Sequence, residues 1–130
     1  MVIDTSAMIA VLQDEPERRR LTEAIEAADA RLMSTASFVE ASIVRQARHG
    51  RDGVRDLDLL ISDAAIEVVA VDSEQADAAR DAFFRFGKGN HAAGLNFGDC
   101  FSYALARTRD HALLFKGDDF SQTDVATIDY

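Results

Sequence analysis

The spacing of apolar and polar residues predicts short strands separated by amphipathic helices. Met1–Asp4 is an apolar run that ends in an acid, and Thr5–Asp14 then carries apolar side chains at helical intervals. Pro16 suits the opening of a second helix, from Glu17 to about Ala28, and Arg31–Thr35 is a brief extended segment. The first quarter of the chain therefore predicts the order strand, helix, helix, strand.

The middle of the chain continues this alternation. A helix is expected to start at Ser37 and to stop at Gly50, a residue type suited to helix ends. Arg55–Ala64 predicts a further helix, and the apolar, β-branched run Ile66–Val71 predicts a buried strand. Asp72–Gln75 has the form of a capping box that opens the next helix.

The last third contains a glycine-rich loop and the final elements. Gly87–Gly98 holds four of the seven glycines, while Phe97–Arg109 has a helical pattern. Strands are expected at Ala112–Phe115 and Val125–Ile128. Strands separated by helices imply βαβ units and a parallel sheet. A chain of 130 residues fits one domain, and we expect no boundary within it.

Composition indicates a folded chain but gives an ambiguous indication of its partners. Hydrophobic residues make up 48% and charged residues 28%, which is ordinary for a globular domain. The net charge of −9 opposes binding to phosphates, unless part of the acid is clustered in a metal site. Seven of the arginines are concentrated in two zones, which are either solvated helix faces or an RNA path. They are Arg18, Arg19 and Arg20, and then Arg45, Arg48, Arg51 and Arg55.

Several kinds of site are excluded by residue type and spacing. Cys100 is the one cysteine, so neither an internal disulfide nor a thiolate zinc site can form. His49, His91 and His111 lack the close pairing of zinc motifs. No phosphate-binding P-loop and no serine nucleophile elbow occurs. No apolar run has membrane-spanning length, and the start lacks the form of a secretory signal, so we expect a cytoplasmic protein with no membrane partner.

Five acids stand at predicted strand ends or helix starts. Asp4 has an ordinary interpretation as a helix cap, Glu40 as a member of a capping box, and Asp99 as an acid favoured by a helix dipole. Asp118 and Asp119 have an ordinary interpretation as turn residues. In a parallel sheet, however, such positions gather at one edge. A cluster of carboxylates suits one or two Mg²⁺ or Mn²⁺ ions, which activate water for phosphodiester cleavage without a histidine.

Four segments, in order and in spacing, resemble the motifs of the VapC toxins of the PIN-domain superfamily. They are Val2–Ala7, Ser37–Glu40, Leu95–Cys100 and Phe115–Phe120, and Gly87-Lys88-Gly89 before the third strengthens the likeness. The resemblance covers nearly all of the chain.

This resemblance implies a fold, an activity and partners. The fold would be a three-layer α/β/α sandwich with a central parallel β-sheet, as a single PIN domain over residues 1–130. The activity would be that of a Mg²⁺-dependent endoribonuclease, with Mn²⁺ able to substitute. The partners would be a second copy of the chain and a cognate VapB-type antitoxin, in a heterotetramer or larger complex. A basic antitoxin tail would enter the acidic cleft and inhibit cleavage.

The resemblance also assigns roles to the acids. Asp4 and Asp99 become direct metal ligands, while Glu40 and Asp119 bind the metal through water or position the attacking water. Secondary candidates supply a nearby hydroxyl or an alternative fourth acid; these are Thr5, Ser6 and Asp118.

Other functions give the same acids a different meaning. A non-catalytic PIN-like RNA-binding module would keep the fold without the chemistry. A Mg²⁺-dependent phosphoacceptor domain needs two acids near the first strand and a lysine after a late strand, and here Asp4 alone closes the first strand. A phosphatase of the haloacid-dehalogenase type would require an acid in place of Ser6.

Overall fold

A computed structural model describes residues 1–130 and contains a parallel sheet of four strands with five helices. In chain order the elements are β1 (Val2–Ile3), α1 (Thr5–Leu12), α2 (Arg18–Ala27), β2 (Leu32–Ser34), α3 (Thr35–Asp63), β3 (Glu67–Val69), α4 (Ser73–Phe86), α5 (Phe97–Arg109) and β4 (Leu113–Leu114). All strand pairs are parallel, which confirms the predicted class of sheet. None of the helices is both long and apolar enough to cross a bilayer.

The sheet separates two apolar cores. Val2 and Leu113 belong to a core shared with α4 and α5, whereas their neighbours Ile3 and Leu114 belong to a core shared with α1, α2 and α3. Successive side chains of a strand point to opposite faces, so β1, β2 and β4 each contribute to both cores. The result is the three-layer α/β/α sandwich that the resemblance implied.

The strand order places the carboxyl end of β1 at a crevice. The order across the sheet is β3-β2-β1-β4, so the chain leaves β1 toward β2 on one side and returns as β4 on the other. Ligands of open parallel sheets bind beyond the carboxyl ends of strands where the order reverses in this way. Asp4 follows β1, and the segment that carries Asp118 and Asp119 follows β4, so both reach this edge.

The helix after β2 differs from the prediction at its start but breaks at the predicted residue. It begins at Thr35 and is capped by the side chain of Ser34, so Ser37 lies inside its first turn instead of opening it. Gly50 has non-helical backbone angles, φ 63° and ψ −149°, so it ends the first helical segment of α3, as predicted. A second helical segment follows across this kink and runs to Asp63, and it contains the helix predicted over residues 55–64.

Three local predictions were wrong or half right. Val125–Ile128 makes only an isolated bridge to β4 and is not a strand. Gly98 lies in α5 instead of in the preceding loop. Asp72 caps α4 by accepting from the Gln75 backbone N–H at 2.8 Å, but the Gln75 amide donates to the Ala70 carbonyl at 3.0 Å instead of returning to the cap. Only half of the predicted capping box therefore forms.

The kink at Gly50 predicts a cost for any side chain there. A Cβ at Gly50 would meet no atom within 4 Å, so the cost of Gly50→Ala is backbone strain alone. For this region of φ and ψ, we expect the free energy of unfolding to fall by about 1–3 kcal/mol. Urea unfolding measures it, with Gln46→Ala at an exposed position of α3 as the control that stays unchanged. Equal unfolding midpoints for Gly50→Ala and wild type would contradict the assignment.

Candidate metal centre

Asp4 is held from three directions at the end of β1. Its side chain is 3% exposed. Oδ2 accepts from the backbone N–H of Ser6 at 3.0 Å and from the Ser6 hydroxyl at 2.7 Å, and Oδ1 accepts from the Ser102 hydroxyl at 2.6 Å. Asp4 is therefore the N-cap of α1, as its ordinary interpretation requires. The cap also fixes the carboxylate at the sheet edge, so cap and site are compatible roles.

Asp99 lies in the first turn of α5 and is 7% exposed. Its Oδ2 accepts from the Asn96 backbone N–H at 3.0 Å, while Asn96 Oδ1 accepts from the Asp99 N–H at 2.9 Å. This is a reciprocal capping box that the sequence prediction did not include. Burial raises the pKa of Asp99 to about 7, and the charges of Asp4, Asp119 and Glu40 add to the rise, whereas the Asn96 hydrogen bond opposes it.

Glu40 is half-buried on α3 and faces the start of α5. The capping-box interpretation of Ser37 and Glu40 is excluded because α3 begins at Thr35. The Glu40 carboxylate instead packs against the backbone of Gly98, so closely that a Cβ on Gly98 would overlap Glu40 Oε2. This contact joins the segment Ser37–Glu40 to the segment Leu95–Cys100, and only a glycine at position 98 leaves room for it.

Asp118 and Asp119 are both exposed on the segment after β4, but they differ in their surroundings. The pKa of Asp119 is raised by partial burial, then by the charges of Asp4 and Asp118. Asp119 also acts on Asp99, and Asp118 is not among the charges that do so. The Asp118 carbonyl accepts from the Ser121 hydroxyl at 2.6 Å, as in an ordinary turn. Of this pair, Asp119 is thus the acid whose charge acts on Asp99.

The two hydroxyl candidates, Thr5 and Ser6, have different hydrogen-bond partners. Thr5 Oγ1 donates to the Ser37 carbonyl at 3.3 Å and so contacts α3 instead of the acids. Ser6 Oγ donates to Asp4 and accepts from the Lys116 N–H at 3.0 Å, which links Asp4 to the segment that carries Asp119. Ser102 was not predicted, although its position three residues after Asp99 in a helix put it on the same face.

The donor chemistry of the site fits a hard divalent cation. All candidate ligands are carboxylates, the ligand type of Mg²⁺ and Mn²⁺. None of the eight ion pairs in the structure includes Asp4, Glu40, Asp99 or Asp119, so no arginine or lysine neutralises them. No three of them form a closed set around one point. Mg²⁺ takes one or two carboxylates directly and keeps several waters, so it does not require such a set.

The raised pKa of Asp99 predicts a stability that depends on pH. A carboxyl group with a higher pKa in the folded state stabilises that state below its unfolded pKa of about 3.9, and this stability is lost as the pH rises toward about 7. Asp99→Asn removes the titration while its amide oxygen keeps the hydrogen bond from Asn96. In EDTA at pH 8 we therefore expect the variant to be more stable than wild type by about 2 kcal/mol, after allowance for partial solvent access.

Urea unfolding at pH 5 and pH 8 measures this difference. It should grow with pH for Asp99→Asn and stay near zero for Asp58→Asn, an exposed acid on α3. An Asp99→Asn variant less stable than wild type at both pH values would show that hydrogen bonding outweighs charge at this position.

Similarity to known proteins identifies the family of the chain. The family model described as "PIN domain" matches residues 1–126. The chain is 56% identical over 128 residues to "Ribonuclease VapC30" of Mycobacterium tuberculosis, and the match covers 98% of each chain. Among solved structures, it is similar to the Mycobacterium tuberculosis toxin VapC20, described as cleaving the sarcin-ricin loop. The TM-score is 0.79 at 15% identity, over 98% of this chain and 97% of that one.

A second solved structure with the same fold is VapBC2 of Rickettsia felis bound to a DNA fragment from its promoter. Its TM-score is 0.77 at 10% identity, over 98% of this chain and 96% of that one. The two structural similarities support the fold. The family model and the 56% sequence identity to a named ribonuclease identify the family. The chain belongs to the PIN-domain family, within its VapC ribonucleases.

Proposed function

We propose that this VapC-type ribonuclease is a Mg²⁺-dependent endoribonuclease, with Mn²⁺ able to substitute, that uses Asp4, Glu40, Asp99 and Asp119. The observation that carries the proposal is that Asp99 is buried, has no cationic partner, and has its pKa raised by burial and by the charges of Asp4, Asp119 and Glu40. Uncompensated charge in a partly buried site is costly, and a bound cation offsets that cost.

The two buried acids suit direct coordination. Asp4 and Asp99 are held by hydrogen bonds at helix starts, so their oxygens are oriented before any ion arrives. Glu40 and Asp119 are more exposed and suit ligation through water, or orientation of the attacking water. The bound ion supplies a water of lowered pKa and stabilises negative charge on the scissile phosphate. The side chains thus bind and orient, and none of them acts as a nucleophile.

The proposal includes a cognate antitoxin of the VapB type and assembly as a homodimer or, with antitoxin, a heterotetramer or larger complex. The name of the similar Rickettsia felis structure, VapBC2, combines a VapB with a VapC component. A net charge of −9 and an acidic cleft complement a basic antitoxin segment, which would compete with the metal and with RNA. With RNA as the substrate, the proposed place of action is the cytoplasm.

The phosphoacceptor alternative finds no support at the site. That chemistry needs a lysine near the acids, and the lysine after β4 is Lys116. Its ammonium group instead pairs with Glu15 at 3.1 Å and with Glu17 at 3.2 Å, in the segment that joins α1 to α2. Ser6 stands where a second acid of the first-strand motif would be required.

RNA cleavage by antitoxin-free protein tests the function. Structured and unstructured RNAs are incubated with Mg²⁺, Mn²⁺ or EDTA, and cleavage is expected with either metal but not with EDTA. Asp4→Asn and Asp99→Asn should each lower the rate more than about 100-fold, beyond the 10–100-fold typical of residues that only support a ligand. Asp58→Asn, on the surface of α3, is the matched control with an unchanged rate. Absence of both cleavage and metal binding would favour the non-catalytic RNA-binding module.

The contact between Glu40 and Gly98 predicts a separation of activity from stability. In Gly98→Ala the new methyl group displaces the Glu40 carboxylate, the mobile end of a long side chain, so the fold is not strained. We expect cleavage to fall about 10–100-fold, while the free energy of unfolding stays equal or rises by up to about 1 kcal/mol from helix propensity.

Gly53→Ala provides the opposite case. A Cβ at Gly53 would lie 2.6 Å from the carbonyl oxygen of Arg45, a backbone atom that cannot move aside, and no acid of the site is near the contact. This variant should lose stability in urea unfolding and keep its cleavage rate per folded molecule. A Gly98→Ala variant with full activity would contradict the proposed place of Glu40.

A further inference from the structure

Two buried serines, Ser102 and Ser37, are linked to the carboxylate oxygen of Asp4 that Ser6 does not contact. Ser102 of α5 is 0% exposed and Ser37 of α3 is 1% exposed. The Ser37 and Ser102 hydroxyl oxygens are 3.1 Å apart, and Ser102 Oγ is 2.6 Å from Asp4 Oδ1. A buried hydroxyl is costly unless it is hydrogen-bonded. These three side chains therefore form a connected set inside the protein.

The direction of the hydrogen bonds follows from the chemistry of the groups. An ionised carboxylate only accepts, so the single Ser102 proton is donated to Asp4. The bond between the two serines must then be donated by Ser37 to Ser102. The Ser37 carbonyl accepts from Thr5 Oγ1 at 3.3 Å, so the connected side chains are also hydrogen-bonded to the first residue of α1. The order Ser37 to Ser102 to Asp4 is the one arrangement that uses each proton once.

Ser102 departs from what hydroxyls do elsewhere in these helices. Ser42 of α3 donates to the Phe38 carbonyl at 2.7 Å, and Thr108 of α5 donates to the Ala104 carbonyl at 2.8 Å. Both are the usual bonds to the preceding helical turn. Ser102 donates to the carboxylate instead, so its hydroxyl serves Asp4 and not its own helix.

The count of hydrogen bonds on Asp4 indicates which of its oxygens remains available. Each carboxylate oxygen has about two acceptor sites. Oδ2 accepts from the Ser6 N–H and from the Ser6 hydroxyl, so both of its sites are occupied. Oδ1 accepts from Ser102 alone, so one site remains on that oxygen. A cation that binds Asp4 would bind the oxygen that Ser102 holds.

We propose that Ser102, oriented by Ser37, is a positioning residue that fixes the Asp4 carboxylate and presents one lone pair of Oδ1 to the divalent cation. The proposal rests on the proposed role of Asp4 as a metal ligand. Residues that orient a metal ligand typically contribute 10–100-fold in metal affinity. Loss of the Ser102 hydroxyl should therefore weaken metal binding even where RNA is absent.

Titration of the antitoxin-free protein with Mn²⁺, followed by calorimetry or by the electron paramagnetic resonance of the free ion, measures this directly. Ser102→Ala is expected to bind Mn²⁺ about 10-fold more weakly than wild type. Ser37→Ala should cause a smaller loss than Ser102→Ala, because Ser102 still donates to Asp4. Ser42→Ala, which removes a hydroxyl from α3 outside the set, should leave the affinity unchanged.

Two further variants separate hydrogen bonding from packing and from the role of Asp4 itself. Ser102→Cys keeps the size of the side chain but donates poorly, so it should bind Mn²⁺ as weakly as Ser102→Ala. Wild-type affinity in Ser102→Ala, with binding lost in Asp4→Asn, would overturn the positioning role and leave the proposed function intact. Wild-type affinity in Asp4→Asn would overturn both.

Discussion

Repulsion among the carboxylates at the carboxyl edge of the sheet is the constraint that the surrounding structure has to satisfy. Asp4 and Asp99 are almost fully buried and lie within range of each other's charge, without a lysine or arginine between them. The compensation comes from the backbone instead. Asp4 is the N-cap of α1 and Asp99 stands in the first turn of α5, where free N–H groups and the positive end of each helix dipole favour an anion.

The capping interpretations of the acids and their functional interpretation therefore describe the same structure. A helix start needs an acceptor, and a metal site needs a carboxylate that is already oriented. Asp99 meets the first need through its reciprocal bonds with Asn96, and Asp4 meets it through Ser6. The parallel sheet then supplies the convergence, because the carboxyl ends of its strands meet at the one edge where the strand order reverses.

Much of the fold and of the candidate site was predictable because it depends on local pattern. The periodicity of apolar residues predicts the parallel sheet and the bounds of α5. Their positions at the ends of predicted strands and the starts of predicted helices single out the candidate acids. The misses depend on tertiary contacts. Val125–Ile128 has the composition of a strand but makes only one bridge. The effect of Asp119, and not of Asp118, on Asp99 and the hydrogen bond from Ser102 to Asp4 both join segments that are distant in the chain. Local sequence pattern does not reveal such contacts.

The strands of this sheet are two or three residues long, and that brevity makes the site sensitive to the number of residues that precede it. In β1, Val2 fills one core, Ile3 fills the other, and Asp4 comes immediately afterwards. Insertion or deletion of a single residue there would exchange the two faces and move Asp4 by about 3.3 Å along the strand direction. Exchange of one apolar residue for another in β1 would leave Asp4 at the sheet edge, whereas a change in the length of β1 would move it. The position of this carboxylate thus depends on the number of residues before it more than on their identities.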